Sequence, residues 1–375
     1  MLKWNIIYIY IHHQYHTIDL FLSLLPPSAS RSTAMSRRLR ISFRRKDRIS
    51  DLPDTLVHQI LSFLPTKDAA ATTILSKRWN PLFLSQIMLR FDDHSFTDHF
   101  AFRKFFYSFM GMRDKSLRIL SFQLNCCYRF IYNTDFYNLV YAVITSGVEN
   151  LSINLRSYSE TTLPSFILTT KTLTSLKLKR VTLKEVPFVD LLSLKILHLE
   201  FVTFTCPEYF IKLLSGCPIL EKLEAKQSTV TTFYKVIQTD GEIERCHYSE
   251  AMLPSFILTT KTLTQLKLKR VTLNKVPFVD LPLLKVLHLE YVTFTYYGYI
   301  MKLLSGCPVI EELEAKNVIV TRLCKVIRTG REVLNLSNLV RANISNGSIE
   351  FDLLCNVNHL RIQEVYVSQC SIWPN

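Results

Sequence analysis

The side chains best suited to chemistry form two equivalent pairs: His198 with Glu200, and His288 with Glu290. Each pair lies in the sequence LHLE, and residues two apart on a strand point to the same face. A histidine beside a carboxylate could act in acid–base catalysis or contribute to a metal site. Two ligands are too few for a metal site, so we interpret both pairs as solvent-facing strand surface.

Two cysteines, Cys217 and Cys307, recur in the sequence SGCP. Each is followed by proline, with no histidine or carboxylate placed as a nearby base, so we interpret both as structural turn residues. The nine cysteines include no C-x-x-C motif, which favours reduced thiols in a cytosolic or nuclear protein. Phosphate-binding loops, hydrolase elbows and zinc-protease or dinucleotide motifs are absent from the sequence. We therefore predict a protein that is not an enzyme and uses no cofactor or metal.

The net charge of +14 is concentrated near the N-terminus. Residues 31–48 hold eight arginines and lysines and one aspartate, which is half of the excess. Such a stretch is usually a solvated tail. It also fits a nuclear-localisation or nucleic-acid-binding segment, although Phe43 is its only aromatic residue and nucleic acid is the less favoured partner.

Residues 1–34 contain two short apolar runs interrupted by histidines. Neither run has the roughly 20 apolar residues that a membrane-spanning helix requires, so no membrane association is predicted. We interpret residues 1–46 as an uncertain extension and a disordered basic linker.

The sequence of residues 47–90 predicts three short helices. Pro53 is suited to the start of the first helix, and Pro65 ends it. Thr66 can cap the second helix, and Pro81 must shorten the third. So few residues cannot bury all their apolar groups, so Leu52, Pro53 and parts of Leu64 and Trp79 should stay open to a partner. The apolar stripe of the first helix comprises Leu56, Val57, Ile60, Leu61 and Leu64.

The sequence LPDTLVHQILSFLPTKDAAATTILSKRW closely resembles the F-box of plant F-box proteins. Phe83, where the family usually has tryptophan, and Pro81 depart from the pattern. The resemblance implies that this module binds a Skp-type adaptor and, through it, a cullin scaffold. The positions that match the family's docking and core residues are Leu52, Pro53, Ile60, Leu61, Leu64, Leu75 and Trp79.

The rest of the chain, residues 91–375, is repetitive at two scales. Residues 163–226 and 253–316 align without a gap at an offset of 90, and 49 of their 64 positions are identical. Within them, the pattern L-x-x-L-x-L predicts one strand per unit with leucines inward, and residues 209–214 predict a helix on the opposite side. The expected fold is α/β, a three-helix F-box followed by a leucine-rich-repeat solenoid shaped like a horseshoe. The pattern begins at Leu173, Leu194, Leu220, Leu263, Leu284 and Ile310, and in weaker form at Leu117, Val148 and Val357.

The wording KLLSGCP-x-x-E-x-L resembles the plant F-box/FBD/leucine-rich-repeat family. An FBD module at the C-terminus is not convincing in VNHLRIQEVYVSQCSIWPN, so we expect it to be missing or truncated. By this resemblance the chain recognises substrates for an SCF-type cullin ubiquitin ligase in the cytoplasm or nucleus. The alternatives are a basic-tailed nuclear or nucleic-acid-binding repeat protein and a degenerate family copy.

The outward side chains of the predicted strands are the candidate surface for an unknown protein substrate. A basic strand beside an acidic one could recognise a charged partner, or could simply be a soluble surface. The candidates are Lys177, Lys179, His198, Glu200, Lys267, Lys269, His288 and Glu290.

Overall fold

A computed structural model of the protein describes residues 51–127, 133–156, 162–238, 241–250, 252–322, 336–345 and 357–363. The predicted basic linker and N-terminal extension lie outside these residues, as does the segment 364–375. The described chain forms three short helices followed by a long parallel sheet with helices and small strands on its other side. No helix among the described residues has the length and apolar character needed to cross a membrane.

The N-terminal helices are α1 (Asp54–Phe63), α2 (Thr66–Ala71), a 3₁₀ turn (Thr72–Leu75) and α3 (Trp79–Leu84). The three predicted helices are therefore confirmed. The prediction that Pro53 is the first helical residue is wrong by one position, because its ψ of 150° makes it the N-cap. Pro81 falls in the first turn of α3, where a missing N–H leaves no helical hydrogen bond unmade.

The predicted capping role of Thr66 is wrong. Thr66 is the first residue of α2 and its side chain makes no cap hydrogen bond; Pro65 occupies the N-cap. Its hydroxyl oxygen instead accepts a hydrogen bond of 2.9 Å from the backbone N–H of Arg90. The Thr66 side chain thus supplies an acceptor to a backbone N–H of the neighbouring strand rather than to its own helix.

The first part of the sheet is formed by β1 (Met88–Asp92), β2 (Ser121–Cys126) and β3 (Asn150–Leu155). Helices α4 (His99–Met112) and α5 (Asn133–Thr145) connect these strands. Three buried phenylalanines of α4 surround Phe91, whose ring centroid lies 4.9 Å from that of Phe106. Strand β1 begins inside the region 47–90 that the sequence assigned to the helical module, so the module and the repeats share one continuous core.

The first copy of the duplicated segment contains β4 (Ser175–Lys179), β5 (Thr182–Leu183), β6 (Ile196–Glu200), β7 (Thr203–Phe204), α6 (Pro207–Ser215) and β8 (Lys222–Lys226). A 3₁₀ turn at Ser165–Thr169 precedes them. The predicted helix at 209–214 is thus confirmed as α6. Its amphipathic sequence buries Phe210, Leu213 and Leu214 against the sheet.

A hairpin separates the two copies. It consists of β9 (Thr229–Gln238) and β10 (Gly241–Glu250), which pair antiparallel along their whole length. Only Thr229 and Val230 of β9 also pair with β7, so most of the hairpin extends beyond that strand.

The second copy repeats the first with β11 (Gln265–Lys269), β12 (Thr272–Leu273), β13 (Val286–Glu290), β14 (Thr293–Tyr296), α7 (Tyr297–Ser305) and β15 (Glu312–Lys316). After it come β16 (Ile319–Arg322), β17 (Arg341–Ser345) and β18 (His359–Gln363). The main sheet has the order β1-β2-β3-β4-β6-β8-β11-β13-β15-β17-β18, and its neighbouring strands run parallel. An uninterrupted parallel order with one strand per unit is the arrangement that the repeat pattern predicted.

The register of the strands tests the weaker repeat assignments. Val148 and Val357 each begin a unit that contains a strand of the sheet, as predicted. The assignment at Leu117 is wrong by two residues: Phe122 pairs with Leu151, so the unit begins at the fully buried Ile119. The unit that contains β17 was missed because alanine replaces its second leucine.

The chain leaves six of the sheet strands through a residue with positive φ that is not glycine. Each such residue costs about 1 kcal/mol relative to right-handed backbone, but its N–H can bond to the next strand; that of Arg180, for example, donates to the carbonyl of Glu200. Arg180 also lies over the ring of Phe201 at 5.1 Å, and Arg270 over that of Tyr291 at 5.6 Å. These residues are Arg180, Phe201, Gln227, Arg270, Tyr291 and Asn317.

Candidate functional site

The helical module presents an apolar surface built from α1 and the 3₁₀ turn. Pro53 is exposed, Ile60 is half-buried, and Leu52 and Leu75 are half-buried against the core. These four predicted adaptor-binding residues therefore keep surface that a partner can reach.

The other three predicted residues are buried inside the module. Leu61 and Trp79 are 1% exposed and Leu64 is 6% exposed. The expectation that parts of Leu64 and Trp79 remain open to a partner is therefore wrong. Buried residues of the repeats belong to the same core as the module and cover the inner side of its apolar stripe. The prediction from sequence considered residues 47–90 alone.

Two apolar side chains on this surface were not predicted. Ile74 is 86% exposed and Phe63 is 49% exposed. The sequence could have indicated that one of two neighbouring residues is exposed, because Ile74 and Leu75 are adjacent in a single 3₁₀ turn and cannot both face the core. An exposed isoleucine next to half-buried leucines is the type of patch that marks protein–protein contact.

Arg78 fixes the approach to α1. Its side chain donates to Asp54 at 2.7 Å and also to the backbone carbonyl of Leu52. The segment that carries Leu52 and Pro53 is thereby tied to the residues that follow Leu75. These contacts order the edge of the apolar surface before any partner binds.

The module is joined to the repeats by polar contacts as well as by the shared core. Arg90 of β1 donates its side-chain Nη1 to the carbonyl of Phe63 at 3.2 Å, and its N–H bonds to Thr66. The rings of Phe83 in α3 and Phe109 in α4 lie 5.1 Å apart. The apolar surface of the helical module and the first strand of the sheet are therefore held in one orientation.

Arg113 is a buried cation at this junction. Burial lowers the pKa of its guanidinium, and the neighbouring Asp114 raises it. The guanidinium donates to four backbone carbonyls at 2.7–3.3 Å, those of Gln86, Asp114, Leu117 and Arg118. One side chain therefore links the end of the helical module to the loop that enters β2.

The outward residues of strands β4, β6, β8, β11, β13 and β15 form a surface that we call the polar face. The register aligns Lys177 with His198 and Glu224, and Lys179 with Glu200 and Lys226. The leucines between them are buried. The predicted substrate-binding residues of both copies are therefore on one face, as the alternation required.

In the first copy the glutamates of the polar face are paired with neighbouring lysine and histidine side chains. Nζ of Lys179 lies 2.6 Å from Glu200, and Nδ1 of His198 lies 2.5 Å from Glu224, which also pairs with Lys226. The hydrogen bond from His198 is the main cause that lowers the pKa of Glu224 to about 2. Burial raises the pKa of Glu200, but Lys179 and His198 outweigh it and the net pKa is lowered.

One substitution between the copies rearranges this network. Glu312 stands where the first copy has Lys222, and Nε2 of His288 lies 2.6 Å from Glu312. Glu314, the counterpart of the glutamate that binds the first histidine, is 3.6 Å from His288. Hydrogen bonds from Arg341 first, and then from His288, lower the pKa of Glu312.

Within the described residues, the polar face does not assemble a metal-binding constellation. His198 and Glu200 do approach to 3.5 Å, as their spacing predicted. Across the described part of the chain, no three His, Cys, Asp or Glu side chains are grouped to hold a metal ion.

The two SGCP turns are packing elements. Cys217 and Cys307 are buried, and burial raises the pKa of each thiol to about 12. Each Sγ lies near the backbone carbonyl of a leucine in the preceding helix, at 3.2 Å and 3.1 Å. A protonated, buried thiol is unsuited to nucleophilic attack.

Comparison with known proteins finds family matches in the helical module and in the repeats. The F-box domain family model matches residues 49–91, and the leucine-rich-repeat family model matches residues 193–218 and 283–308. The chain is similar to an F-box/FBD/LRR-repeat protein of Arabidopsis thaliana, with 33% identity over 215 residues that make up 56% of this chain and 46% of the relative. A second such protein is 38% identical over 183 residues, 47% of this chain and 43% of the relative.

An F-box/LRR-repeat protein of the same plant is 36% identical over 213 residues, 54% of this chain and 58% of the relative. The chain thus spans about half the length of the curated relatives it matches. The matched residues include the apolar surface of α1 and one strand-and-helix unit in each duplicated copy.

Proposed function

We propose that this chain, a plant-type F-box/leucine-rich-repeat protein, is the substrate-recognition subunit of an SCF-type cullin ubiquitin ligase. Its F-box binds a Skp-type adaptor, which connects it to the cullin, and its repeats hold a protein substrate. It carries out no chemistry of its own. It raises the effective concentration of substrate lysines near the loaded ubiquitin-conjugating enzyme.

The observation that carries the proposal is the apolar surface around Pro53 and Ile74. Both side chains are exposed in the segment that the F-box family model matches, and Leu52, Ile60 and Leu75 of the same segment are half-buried. Apolar side chains that are exposed on a well-ordered surface are typical of the central residues of a protein–protein interface.

The rigid junction supports the same proposal. Ubiquitin transfer by proximity needs the substrate to be held at a fixed place relative to the adaptor. A flexible connection between the two would lower the effective concentration of substrate lysines near the conjugating enzyme. The hydrogen bonds of Thr66 and Arg113, and the contact between the rings of Phe83 and Phe109, join the F-box to the repeats without a flexible linker.

The compartment follows from the same assignment. The buried cysteines Cys126, Cys217 and Cys307 carry free thiols, which suits the reducing cytoplasm and nucleus. We place the complex in one or both of these compartments.

Capture of a purified Skp-type adaptor by the full chain tests the proposal. The double variant Pro53→Glu/Ile74→Glu should weaken capture at least about tenfold, because it puts charge at the centre of the apolar surface. The matched control is Phe188→Glu/Phe278→Glu, which changes two side chains that are each 65% exposed in the repeats. The control should bind as the wild type does. No capture by the wild type, or equal capture by both variants, contradicts the proposal.

A further inference from the structure

Three lysines of the polar face have no acidic partner among the described residues. Lys177 and Lys222 are exposed and Lys267 is half-buried, and no described carboxylate lies within 4.0 Å of their Nζ atoms. We call Lys177, Lys222 and Lys267 the lysine cluster.

The lysine cluster is left over because the acidic residues around it are already engaged. The polar face has five glutamates, and each pairs with a lysine, arginine or histidine of the same network. Those carboxylates are neutralised locally, so the remaining charge of this surface is positive. The glutamates are Glu200, Glu224, Glu290, Glu312 and Glu314.

The register places the lysine cluster within reach of one short segment. Lys177 and Lys267 share one row of the sheet and are three strands apart, or about 14 Å at the usual strand spacing. Lys222 is on β8, next to the strand of Lys267 and two residues from the same row. An extended peptide of about five residues covers this distance.

We propose that the lysine cluster binds an acidic segment of the protein substrate. This inference rests on the proposed function, because it assigns the chemistry of the substrate that the repeats hold. The sequence of these strands does not by itself indicate whether the partner is acidic or basic. The ion pairs indicate an acidic partner. Lys179 and Lys269 neutralise Glu200 and Glu290, and among the described residues the unpaired charges that remain on the polar face are those of the lysine cluster.

A peptide fits this surface better than a nucleic acid. The strand positions of the polar face contain no Phe, Tyr or Trp, so they provide no platform on which bases could stack. Glutamates also stand among the lysines in these rows, as Glu224 does between Lys177 and Lys267, and a continuous phosphate backbone would have to pass over them. Separate carboxylates on a peptide can meet the three lysines and avoid the glutamates.

The test measures binding of the full chain to a fluorescein-labelled synthetic peptide of about ten residues in which Asp alternates with Ser. The measurement is made in about 0.15 M salt, which screens long-range electrostatic attraction. The triple variant Lys177→Gln/Lys222→Gln/Lys267→Gln should bind about tenfold more weakly. The control Lys115→Gln/Lys171→Gln/Lys261→Gln removes the same charge from turns outside the polar face. It should stay within about twofold of the wild type. Thermal melting of both variants checks that the fold is intact.

A second variant changes affinity in the opposite direction. Glu200→Gln/Glu290→Gln releases Lys179 and Lys269 from their ion pairs and should raise affinity for the same peptide about threefold. Equal weakening by the two triple variants, or no gain from this double variant, overturns the proposal. Tighter binding of a single-stranded RNA of equal charge, lost in the same triple variant, overturns it in favour of nucleic acid.

Adaptor capture, measured on the same lysine variants, keeps the two proposals apart. It should be unchanged, because the lysine cluster is on the repeats and the adaptor surface is on α1 and the 3₁₀ turn. If the wild type captures no adaptor, the proposed function fails whatever the peptide result. If capture is normal and the peptide binds all variants equally, only the acidic-segment inference fails.

Discussion

Replacing Gly216 with alanine tests how the repeats pack at the end of α6. The backbone of Gly216 has φ −78° and ψ 6°, angles that alanine adopts without strain. A methyl group there would nevertheless lie 2.3 Å from Cγ1 and 2.5 Å from Cβ of Val189 in the preceding unit. Glycine is therefore required by close approach between neighbouring units and not by its conformational freedom.

The size of the effect follows from what can move. Where alanine fits, replacing glycine stabilises a protein by about 0.4–1 kcal/mol. Here the carbonyl oxygen of Val189 is also only 2.8 Å from the new methyl group, and backbone cannot rotate out of the way as a side chain can. Overpacking of this kind costs about 1–3 kcal/mol, so we expect a net loss of about 2 kcal/mol in the free energy of unfolding. For a cooperative unit of about 200 residues this lowers the melting temperature by about 4–8 °C.

Thermal unfolding followed by circular dichroism measures the change. Gly306→Ala should behave alike, because its methyl group would lie 2.4 Å from Cγ1 of Val279. Gly111→Ala is the matched control: no heavy atom lies within 4 Å of its added methyl group, so its melting temperature should hold or rise. Val189→Ala combined with Gly216→Ala should recover part of the loss. A Gly216→Ala protein that melts at or above the wild-type temperature would refute the close-packing argument.

Two further predictions concern the junction and the polar face. Arg113→Met should lower the free energy of unfolding in urea by about 3 kcal/mol, since it removes the hydrogen bonds that the guanidinium donates to four backbone carbonyls, whereas Arg118→Met, at a side chain 65% exposed, should cost less than about 1 kcal/mol. Equal effects of the two would contradict the role of Arg113. The folded-state pKa of Glu224 is lowered to about 2, so its stabilising contribution is present above the unfolded pKa near 4.5 and disappears as the pH falls from 4.5 to 2. The stability difference between wild type and Glu224→Gln should shrink over that interval; a difference independent of pH would show that the carboxylate charge is not responsible.

The repeat pattern was predictable from sequence because strand alternation and the L-x-x-L-x-L spacing are local properties. Leu176 and Leu178 are fully buried between exposed or half-buried lysines, as the alternation required. The spacing did not reveal the unit in which Ala342 replaces leucine, and the leucine at Leu117 predicted a register that is wrong by two residues. In both cases the hydrogen-bonded neighbours define the register, and these are distant in sequence.

The F-box was also predictable, but the division of its apolar residues was not. Sequence shows the stripe from Leu56 to Leu64, since its period is helical, but it does not show what packs behind it. Trp79 and Leu64 are buried because the module shares its core with the repeats, and Ile74 is exposed because Leu75 takes the inner position in the same turn.

The sequence by itself determined the identity of the side chains on each face: leucines inward, and Lys, His and Glu outward in two nearly identical copies. Only the tertiary structure decided which charges remain available. Pairing across strands is set by register, so Lys179 meets Glu200, and the exchange of Lys222 for Glu312 gives His288 a different partner from His198. Electrostatic energy depends on distances of a few ångströms between residues some 20–30 positions apart, and folding alone brings those residues together.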